Sequence, residues 1–311
     1  MTMHFNKDGR RGRLGDALRA VGDLLMPRTC LVCGRPLGVL ERHLCLACAA
    51  DLPYTYQWRQ AHNPLADRFN AVLERHRGTE PMDYAYAVSL LYYKGPYRQI
   101  PRALKYHGNL SAGRHFGSML GRHIASAPHL ADIDLVIPVP LHWTRRRSRG
   151  YNQSAILARA LTTALNASRS LAPSAPSPSP SVIPGATGNL PPAACRTDLL
   201  VRARRTRTQT RLTVDQKAQN VASAFRVPIS PRPRFLLKRR AGHDENRYSR
   251  LDRESAALKV LASARHILIV DDTFTTGATL YACYAALRPY TSARISIATL
   301  AAVEGTPSAG P

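Results

Sequence analysis

Four cysteines near the N-terminus have the type and spacing of a metal site. Two residues separate Cys30 from Cys33 and two separate Cys45 from Cys48, with eleven residues between the pairs. Each pair can place two thiolates on one turn, so that together they supply the four ligands of a tetrahedral Zn²⁺ site. The pattern predicts a structural zinc ion, because four thiolates leave no coordination position open for catalysis. Disulfides or free thiols are the alternative assignment.

A second feature is an apolar segment that ends in two adjacent carboxylates. Residues 266–270 are followed by Asp271 and Asp272, and then by a hydroxyl-rich turn that opens a helix. The carboxylates can accept hydrogen bonds from two neighbouring hydroxyl groups, and the N–H groups of the turn can bind an anion. The residues expected to hold the anion are Thr275, Thr276, Gly277, Ala278 and Thr279. The segment predicts a site for a sugar phosphate such as ribose 5-phosphate; a simple acidic turn is the alternative.

The charge balance favours a partner that carries phosphate groups. The chain has 311 residues, with 44 Lys and Arg against 20 Asp and Glu, which gives a net charge of +24. This excludes an acidic solvating protein and favours association with polyanions. The arginines predicted to bind pyrophosphate or nucleic acid are Arg146, Arg149, Arg204, Arg205 and Arg207. The alternative for any one of them is an ordinary solvated surface residue.

Aromatic residues accompany several of the basic ones. Single-stranded nucleic acid is bound by a basic groove together with rings on which the bases stack. The candidate rings are Tyr92, Tyr93, Tyr97, Tyr106, Trp143 and Tyr151. The sequence thus contains the ingredients of a nucleic-acid surface without indicating how they are arranged.

Apolar strand-like runs alternate with helical patterns along much of the chain. Strands are predicted at 85–93, 134–139, 224–227, 266–270 and 294–301, and helices at 98–105, 111–125, 152–167 and 277–287. This alternation predicts an α/β fold with a parallel sheet flanked by helices. Ligands of such sheets bind at the carboxyl ends of the strands, where the acidic pair would lie.

The other segments divide the chain into modules. We expect a basic tail with an amphipathic helix at 1–28, the zinc module at 29–52, a connector at 53–84, the α/β domain at 85–302 and a disordered tail at 303–311. Two disordered insertions are expected at about 168–195 and 228–262, and the second contains a helical pattern near 250–261. The first is rich in Pro and Ser and cannot bury enough apolar surface to offset the entropy of ordering.

Nothing in the sequence indicates a membrane span or a targeting signal. No window approaches the roughly 18 apolar residues that a membrane helix needs. The basic N-terminal segment lacks a secretory apolar core and contains Asp16 and Asp23, which a mitochondrial presequence would usually avoid. We therefore expect a cytoplasmic protein that is not an integral membrane protein.

Five separated motifs resemble the ComF family. Residues 269–279, IVDDTFTTGAT, resemble the phosphoribosyl-diphosphate (PRPP) motif of type I phosphoribosyltransferases. The other motifs are LKYHG at 104–108, DLVIPVPL at 134–141, RRSRGYNQ at 146–153 and RRTRTQTRL at 204–212. The match covers about 24–165, 199–227 and 266–302. The family also has a zinc knuckle before a phosphoribosyltransferase-like domain, which is the order found here.

The resemblance implies a type I phosphoribosyltransferase-like sheet preceded by a small four-cysteine zinc module. It implies that Asp271 and Asp272 face the ribose hydroxyls of PRPP, that residues 275–279 hold its 5-phosphate, and that Mg²⁺ accompanies PRPP. It further implies a role in natural competence on incoming single-stranded DNA, with a competence helicase, recombination mediators or the uptake channel as partners. The two insertions depart from the family, as does Lys217, which stands where the family usually has an Arg able to bind bidentately.

Two functions follow from these features. In the first, the protein handles DNA and its PRPP-type fold serves as a phosphate- or nucleotide-binding scaffold. In the second, it is an active phosphoribosyltransferase that transfers ribose 5-phosphate to a nucleobase-like acceptor, with Arg146 and Arg149 on the pyrophosphate. The intact acidic pair and turn favour PRPP binding in either case. No segment indicates a nucleobase pocket, which weakens the second.

Overall fold

The computed structural model describes residues 28–76, 84–106, 108–171, 191–203, 224–229 and 245–305. The helices are α1 (Leu46–Ala50), α2 (Pro64–Arg75), α3 (Gln99–Tyr106), α4 (Leu110–Ala125), α5 (Trp143–Arg149), α6 (Gln153–Leu171), α7 (Glu245–Ser263) and α8 (Ala278–Leu287). The strands are β1 (Ala87–Tyr92), β2 (Leu135–Pro138), β3 (Ala194–Cys195), β4 (Val201–Arg202), β5 (Phe225–Arg226), β6 (His266–Phe274) and β7 (Arg294–Ala302). No helix in these ranges is both long enough and apolar enough to span a bilayer.

Five of the described strands run parallel and form the central sheet in the order β1-β7-β6-β2-β3. Strands β4 and β5 form a separate antiparallel pair. The predicted fold class is confirmed: the chain is α/β, with a parallel sheet flanked by helices and a cysteine cluster ahead of it. Strand β6 lies in the middle of the sheet, so its carboxyl end is surrounded by the ends of its neighbours.

Alternate residues of the strands pack into two cores, one on each face of the sheet. In β6, Leu268 and Val270 belong to the core formed with the cysteine module, α3, α4 and α6. Ile267 and Ile269 belong to the core formed with α2, α7 and α8. Successive side chains of a strand point to opposite faces, so a strand covered on both faces reads as an unbroken apolar run. This explains why β6 was recognisable from its sequence.

Strand β6 is longer than predicted. It continues past Val270 to Phe274, and its pairing with β7 includes Asp271 opposite Thr299 and Phe274 opposite Ala302. The two carboxylates therefore lie within the strand instead of following it. The polar residues remain in the ladder because β7 continues beside them and because other side chains satisfy their oxygens, as described below.

The segment 53–84, expected to be a connector, contains helix α2, which packs on the sheet. Asn63 caps its start, because its side-chain oxygen accepts the backbone N–H groups of the next turn at 3.1 and 2.9 Å. Leu65, Phe69 and Leu73 are spaced four residues apart and are fully buried. Their spacing places them on one face of the helix, although polar residues between them weaken the pattern in the sequence.

The expected insertions are shorter than their predicted limits. Helix α6 continues to Leu171, and β3 already pairs with β2 at 194–195, so both ends of the interval 168–195 are ordered. Helix α7 fills 245–263 and buries Ala257 and Leu261 against the sheet. The remaining stretches for which disorder is expected, 172–190, 230–244 and 306–311, lie outside the described residues, as does the tail 1–27.

Close packing of α4 against α6 sets the position of the α6 N-terminus. A side-chain carbon at Gly117 of α4 would lie 2.7 Å from the backbone oxygen of Leu157 in α6. Only glycine fits at this crossing, since any larger residue would force the helices apart. The contact holds α6 so that its first residues, Gln153 and Ser154, lie beside β6.

A buried histidine begins β6 at the opposite edge of the sheet. The His266 ring has Nδ1 2.7 Å from Asp132 Oδ1 and Nε2 2.8 Å from Ser296 Oγ. Arg294 contacts the same Asp132 carboxylate at 2.5 Å. Burial lowers the pKa of His266. Although burial opposes it, the hydrogen bond with His266 and the charge of Arg294 lower the pKa of Asp132 to about 2. The folded protein therefore favours a neutral ring and an ionised carboxylate.

We expect the contribution of His266 to the free energy of unfolding to decrease as the pH falls from about 7 to about 5. In the unfolded chain His266 takes up a proton near its ordinary pKa of about 6.5, whereas the folded ring resists protonation. The replacement His266→Gln should flatten this dependence, and His62→Gln, at an exposed histidine, should not. Urea unfolding at both pH values measures the effect. Equal pH dependence in the parent and in His266→Gln would contradict the assignment.

Candidate functional site

The acidic pair is buried, and each carboxylate accepts hydrogen bonds from neighbouring groups. Asp271 is 9% exposed and Asp272 is 3% exposed. Asp271 Oδ1 accepts hydrogen bonds from the Ser154 hydroxyl and from the backbone N–H of Asp272, both at 2.8 Å. Asp272 accepts one from Gln153 Nε2 at 2.9 Å and forms an ion pair with Lys105 Nζ at 2.9 Å. The start of α6 and the end of α3 therefore hold the two carboxylates in place.

The two carboxylates have different electrostatic surroundings. Burial, and then the charge of Asp272, raise the pKa of Asp271 to about 7. Asp272 has the ammonium group of Lys105 against it, and that group also donates to Thr273 Oγ1 at 3.2 Å. Near neutral pH the Asp271 carboxyl therefore exchanges its proton readily, and Asp272 lies beside it with a cationic partner. Such a pair can accept hydrogen bonds from two neighbouring hydroxyl groups.

The loop between β6 and α8 has the features expected of an anion site. Gly277 precedes α8 in the left-handed conformation (φ 80°), which favours glycine, and no described side chain caps the helix start. The first N–H groups of α8 therefore lack a side-chain partner and face the loop. Thr275 and Thr276 are exposed, and Ala278 and Thr279 form the first turn of the helix. The predicted anion loop follows the acidic pair after two residues, Thr273 and Phe274, which complete β6.

Arg68 of α2 hydrogen-bonds to the backbone of this loop. Its guanidinium group donates to the backbone oxygen of Val303 at 2.6 Å and to that of Thr275 at 2.9 Å, and it lies 5.2 Å from the centre of the Phe274 ring. Sequence reasoning missed this residue, because its partners lie more than two hundred positions away and no local pattern marks it. The guanidinium group ties the end of β7 to the loop that follows β6.

The topology places the acidic pair at a crevice. Strands β2 and β6 are neighbours, yet the helices that follow them lie on opposite faces of the sheet, α6 on one and α8 on the other. In open α/β sheets this divergence leaves a crevice at the carboxyl ends of the strands, where ligands bind. A cleft of about 490 Å³ lies beside it and is lined by Tyr93, Gln99, Pro101, Arg102, Lys105 and Tyr106. Lys105 thus reaches both the cleft and Asp272.

The predicted arginines are only partly brought to this site. Arg149 donates to Gln153 Oε1 at 3.2 Å, and Gln153 in turn bonds to Asp272, so Arg149 belongs to the same network. Its guanidinium group also lies 5.5 Å from the centre of the exposed Tyr106 ring. Arg146 is exposed on α5, without an ion pair to any described residue. Arg204, Arg205, Arg207 and Lys217 lie outside the described residues.

The candidate stacking rings are not equivalent. Tyr106 and Trp143 are largely exposed, as stacking requires. Tyr97 is buried and its hydroxyl donates to Asp51 Oδ2 at 3.0 Å, so its ring supports the cysteine module instead. The hydroxyl of Tyr151 donates to the backbone oxygen of Leu104 and ties the loop before α6 to α3. Nearness to basic residues in the sequence could not distinguish these cases, because burial depends on tertiary packing.

The four cysteines form one cluster. Their sulfur atoms all lie within 4.8 Å of one another, and Cys33 Sγ is 3.7 Å from Cys45 Sγ. Zinc–sulfur bonds of about 2.3 Å in a tetrahedron separate the sulfurs by about 3.8 Å, so the donor set fits this ion. Cys30 and Cys45 are buried, whereas Cys33 is exposed. The cluster can therefore bind a metal ion such as zinc.

The surroundings of Cys33 favour its thiolate, whereas burial raises the pKa of the Cys48 thiol to about 12. The Cys33 thiol accepts a hydrogen bond from the backbone N–H of Arg35, which lowers its pKa to about 6. The neighbouring thiols raise the pKa of the Arg35 guanidinium in return. Gly34, in the left-handed conformation, closes the turn by donating its N–H to the Cys30 oxygen at 2.9 Å. This short turn offers donors to sulfur, as metal-binding knuckles do.

Comparison of the chain with protein-family models and with curated proteins gave no match.

Proposed function

We propose that the chain is a ComF-like protein that binds a sugar phosphate of the PRPP type and handles incoming single-stranded DNA in natural competence. One observation carries the proposal: two buried carboxylates at the end of the central strand lie just before an uncapped helix start. A ribose phosphate has two vicinal hydroxyl groups for the carboxylates and a phosphate for the helix start. The fold supports the proposal, because the pair lies at a crevice where open α/β sheets bind ligands.

Each part of PRPP would have a binding partner in the protein. The ribose hydroxyls donate to Asp271 and Asp272, and the 5-phosphate accepts from the N–H groups at the start of α8 and from the exposed threonines. Lys105 must leave Asp272 as the ribose arrives, and its ammonium group can then compensate phosphate charge in the neighbouring cleft. Mg²⁺ bound with PRPP would neutralise its pyrophosphate. We propose accordingly that the α/β domain has the type I phosphoribosyltransferase fold.

The cysteine cluster completes the proposal as a structural zinc site. Four thiolates close the coordination shell, so the ion stabilises the module and takes no part in chemistry. The cytoplasmic location and the competence helicase and recombination mediators as partners follow from the ComF resemblance and are part of the same proposal.

An active phosphoribosyltransferase is the second candidate, and the cleft beside Lys105 favours it. An acceptor nitrogen would form a bond to C1 of the ribose while the bond from C1 to the pyrophosphate oxygen breaks. The leaving pyrophosphate takes the electron pair, and the acceptor loses its proton to solvent or to pyrophosphate. Arg102 and Lys105 line the cleft and can compensate this charge.

Calorimetric titration of Mg²⁺–PRPP into the full chain tests the proposed site. We expect micromolar binding, weaker binding of ribose 5-phosphate, and loss of both in the acidic-pair variant described in the Discussion. Absence of PRPP binding to the parent would contradict the sugar-phosphate site. Pyrophosphate release with each common nucleobase then separates the two candidates, since a binding scaffold releases none.

A further inference from the structure

Tyr56, an aromatic residue with a strained backbone conformation, lies on the surface. Among the residues that the structure describes, Tyr56 is the one non-glycine residue with a positive φ, at 55°, and its side chain is 48% exposed. Bulky residues rarely adopt this conformation, and such strain concentrates at binding sites. The Arg59 guanidinium lies over its ring, 5.2 Å from the centre. An exposed ring with a cation against it is thus built into this turn.

The flanking residues force Tyr56 outward. Thr55 donates its backbone N–H to the Leu90 oxygen at 3.2 Å, and Gln57 Oε1 accepts the N–H of Ser89 at 3.0 Å. Trp58 is buried, 2% exposed, and its ring lies 5.6 Å from that of Tyr56. Residues on both sides are therefore fixed against β1, and the backbone between them has little freedom. The exposure of the Tyr56 ring follows from the fold.

Cationic and aromatic groups continue from this turn along α4. The His123 ring stacks on Trp58, with centroids 4.2 Å apart and planes at 21°. Arg122 is exposed next to it, and His115 lies two turns earlier on the same helix, 5.1 Å from the ring of His43 in the cysteine module. We call Tyr56, Arg59, His115, Arg122 and His123 the α4 strip. At about 1.5 Å per residue, His115 to His123 spans about 12 Å.

The two arginines of the strip have no carboxylate partner in the part of the chain that the structure describes. Within the described residues, neither Arg59 nor Arg122 forms an ion pair. The pKa of His123 is lowered first by burial and then by the charges of Arg122 and Arg59, and that of His115 by burial, Arg122 and Arg42. Glu41, in the adjoining module, accepts the backbone N–H groups of Gly38 and Leu46. The strip therefore presents positive charge together with flat rings.

We propose that the α4 strip is a binding surface for single-stranded nucleic acid, with a base stacked against Tyr56 and phosphates on Arg59 and Arg122. Uncompensated cations select phosphates, and an exposed ring selects an unstacked base, which duplexes do not offer. A strip of about 12 Å accommodates several consecutive phosphates of one strand. The surface differs from the arginine segments predicted from the sequence. The inference rests on the nucleic-acid part of the proposed function.

Fluorescence anisotropy of a labelled oligo-dT with the full chain, measured over a range of salt concentrations, tests the proposal. Tyr56→Gly suits the left-handed backbone and should keep the fold, yet it should weaken binding by about 5- to 140-fold at unchanged salt slope. Tyr56→Phe, which keeps the ring, should bind like the parent. The double variant Arg59→Ala/Arg122→Ala should weaken binding and reduce the salt slope by about 1.4. An abasic oligomer should be insensitive to Tyr56→Gly.

Two control variants remove arginines that lie outside the α4 strip. Arg159→Ala removes an exposed arginine of α6, and Arg145→Ala/Arg147→Ala removes two from α5. If the strip variants bind like the parent and only the α5 variant loses affinity, the nucleic acid does not bind at the α4 strip. The proposed nucleic-acid function would still stand in that case. If the parent binds no oligonucleotide at low salt, both fail. PRPP titration is independent of either result.

Discussion

Replacing Asp271 and Asp272 together with asparagine is expected to reduce PRPP binding by at least about 100-fold while the protein stays folded. Charge-assisted hydrogen bonds from the ribose hydroxyls to a carboxylate are roughly twice as strong as those to a neutral amide, and two such acceptors are lost. The hydrogen bonds from Ser154 and Gln153 survive, because an asparagine oxygen can still accept them, and only the ion pair with Lys105 is lost. The variant thus separates ligand recognition from folding.

The same variant should be at least as stable as the parent above pH 7. The pKa of Asp271 is raised in the folded state, to about 7, so the stability that this group contributes is complete below its unfolded pKa of about 3.9 and is lost as the pH rises through about 7. Asparagine does not titrate, so the stability of the variant relative to the parent should increase between pH 5 and pH 8. Residues that serve an active site commonly make the protein less stable than it could be.

Calorimetry with Mg²⁺–PRPP and urea unfolding at pH 5 and pH 8 measure the two effects. Asp198→Asn is the matched control, because Asp198 is an exposed carboxylate paired with Arg196 outside the crevice. The control should bind PRPP like the parent. Retained binding in the double asparagine variant would remove the acidic pair from the ligand site, whatever its effect on stability.

Replacing Cys45 with serine is expected to eliminate the metal and to disrupt the module around it. Cys45 is 2% exposed and directly precedes α1, so its sulfur cannot be replaced by a water-exposed ligand. Structural zinc sites of this kind bind with apparent free energies of about 10–16 kcal/mol, which are coupled to folding. We expect one zinc per chain in the parent and none in the variant. Cys195→Ser, outside the cluster, should keep its zinc.

The disruption should extend beyond the module itself. Leu37, Leu44 and Leu52 lie in the same core as residues of β1, α3 and α4. Hydrogen exchange should therefore quicken in α3 and α4, whereas α7 and α8, which lie on the other face of the sheet, should stay protected. Metal content and exchange together check this expectation. A variant that retained stoichiometric zinc, or a parent that contained no metal, would contradict the assignment.

Local and contiguous features could be predicted from the sequence. The cysteine spacing and the run from His266 to Thr279 each lie within a short segment, and the apolar strands of a sheet covered on both faces stand out in any chain. Helix α2 was missed, because Leu65, Phe69 and Leu73 are separated by polar residues. The extension of β6 to Phe274 was missed as well, because its polar residues are held in the sheet by β7 and by side chains from α3 and α6.

Contacts between distant segments could not be predicted. Lys105 and Gln153 reach Asp272 from positions more than one hundred residues away, and Arg68 reaches the loop after β6 from farther still. The α4 strip depends on the stacking of His123 on Trp58, two residues that no sequence pattern associates. Such pairings follow from the topology of the sheet and the crossing of helices, which a single sequence does not encode locally.

The strand order also determines when the chain can complete its sheet during synthesis. Among the described strands, β1 has β7 as its only neighbour in the sheet, and Ala87 pairs with Ile297. At roughly 5–20 residues per second, the ribosome needs on the order of 10–40 s to make the intervening chain. The cysteine module can close around metal as soon as Cys48 emerges. For much of its synthesis the nascent chain therefore carries the N-terminal module beside a strand whose neighbour in the sheet has not yet been made.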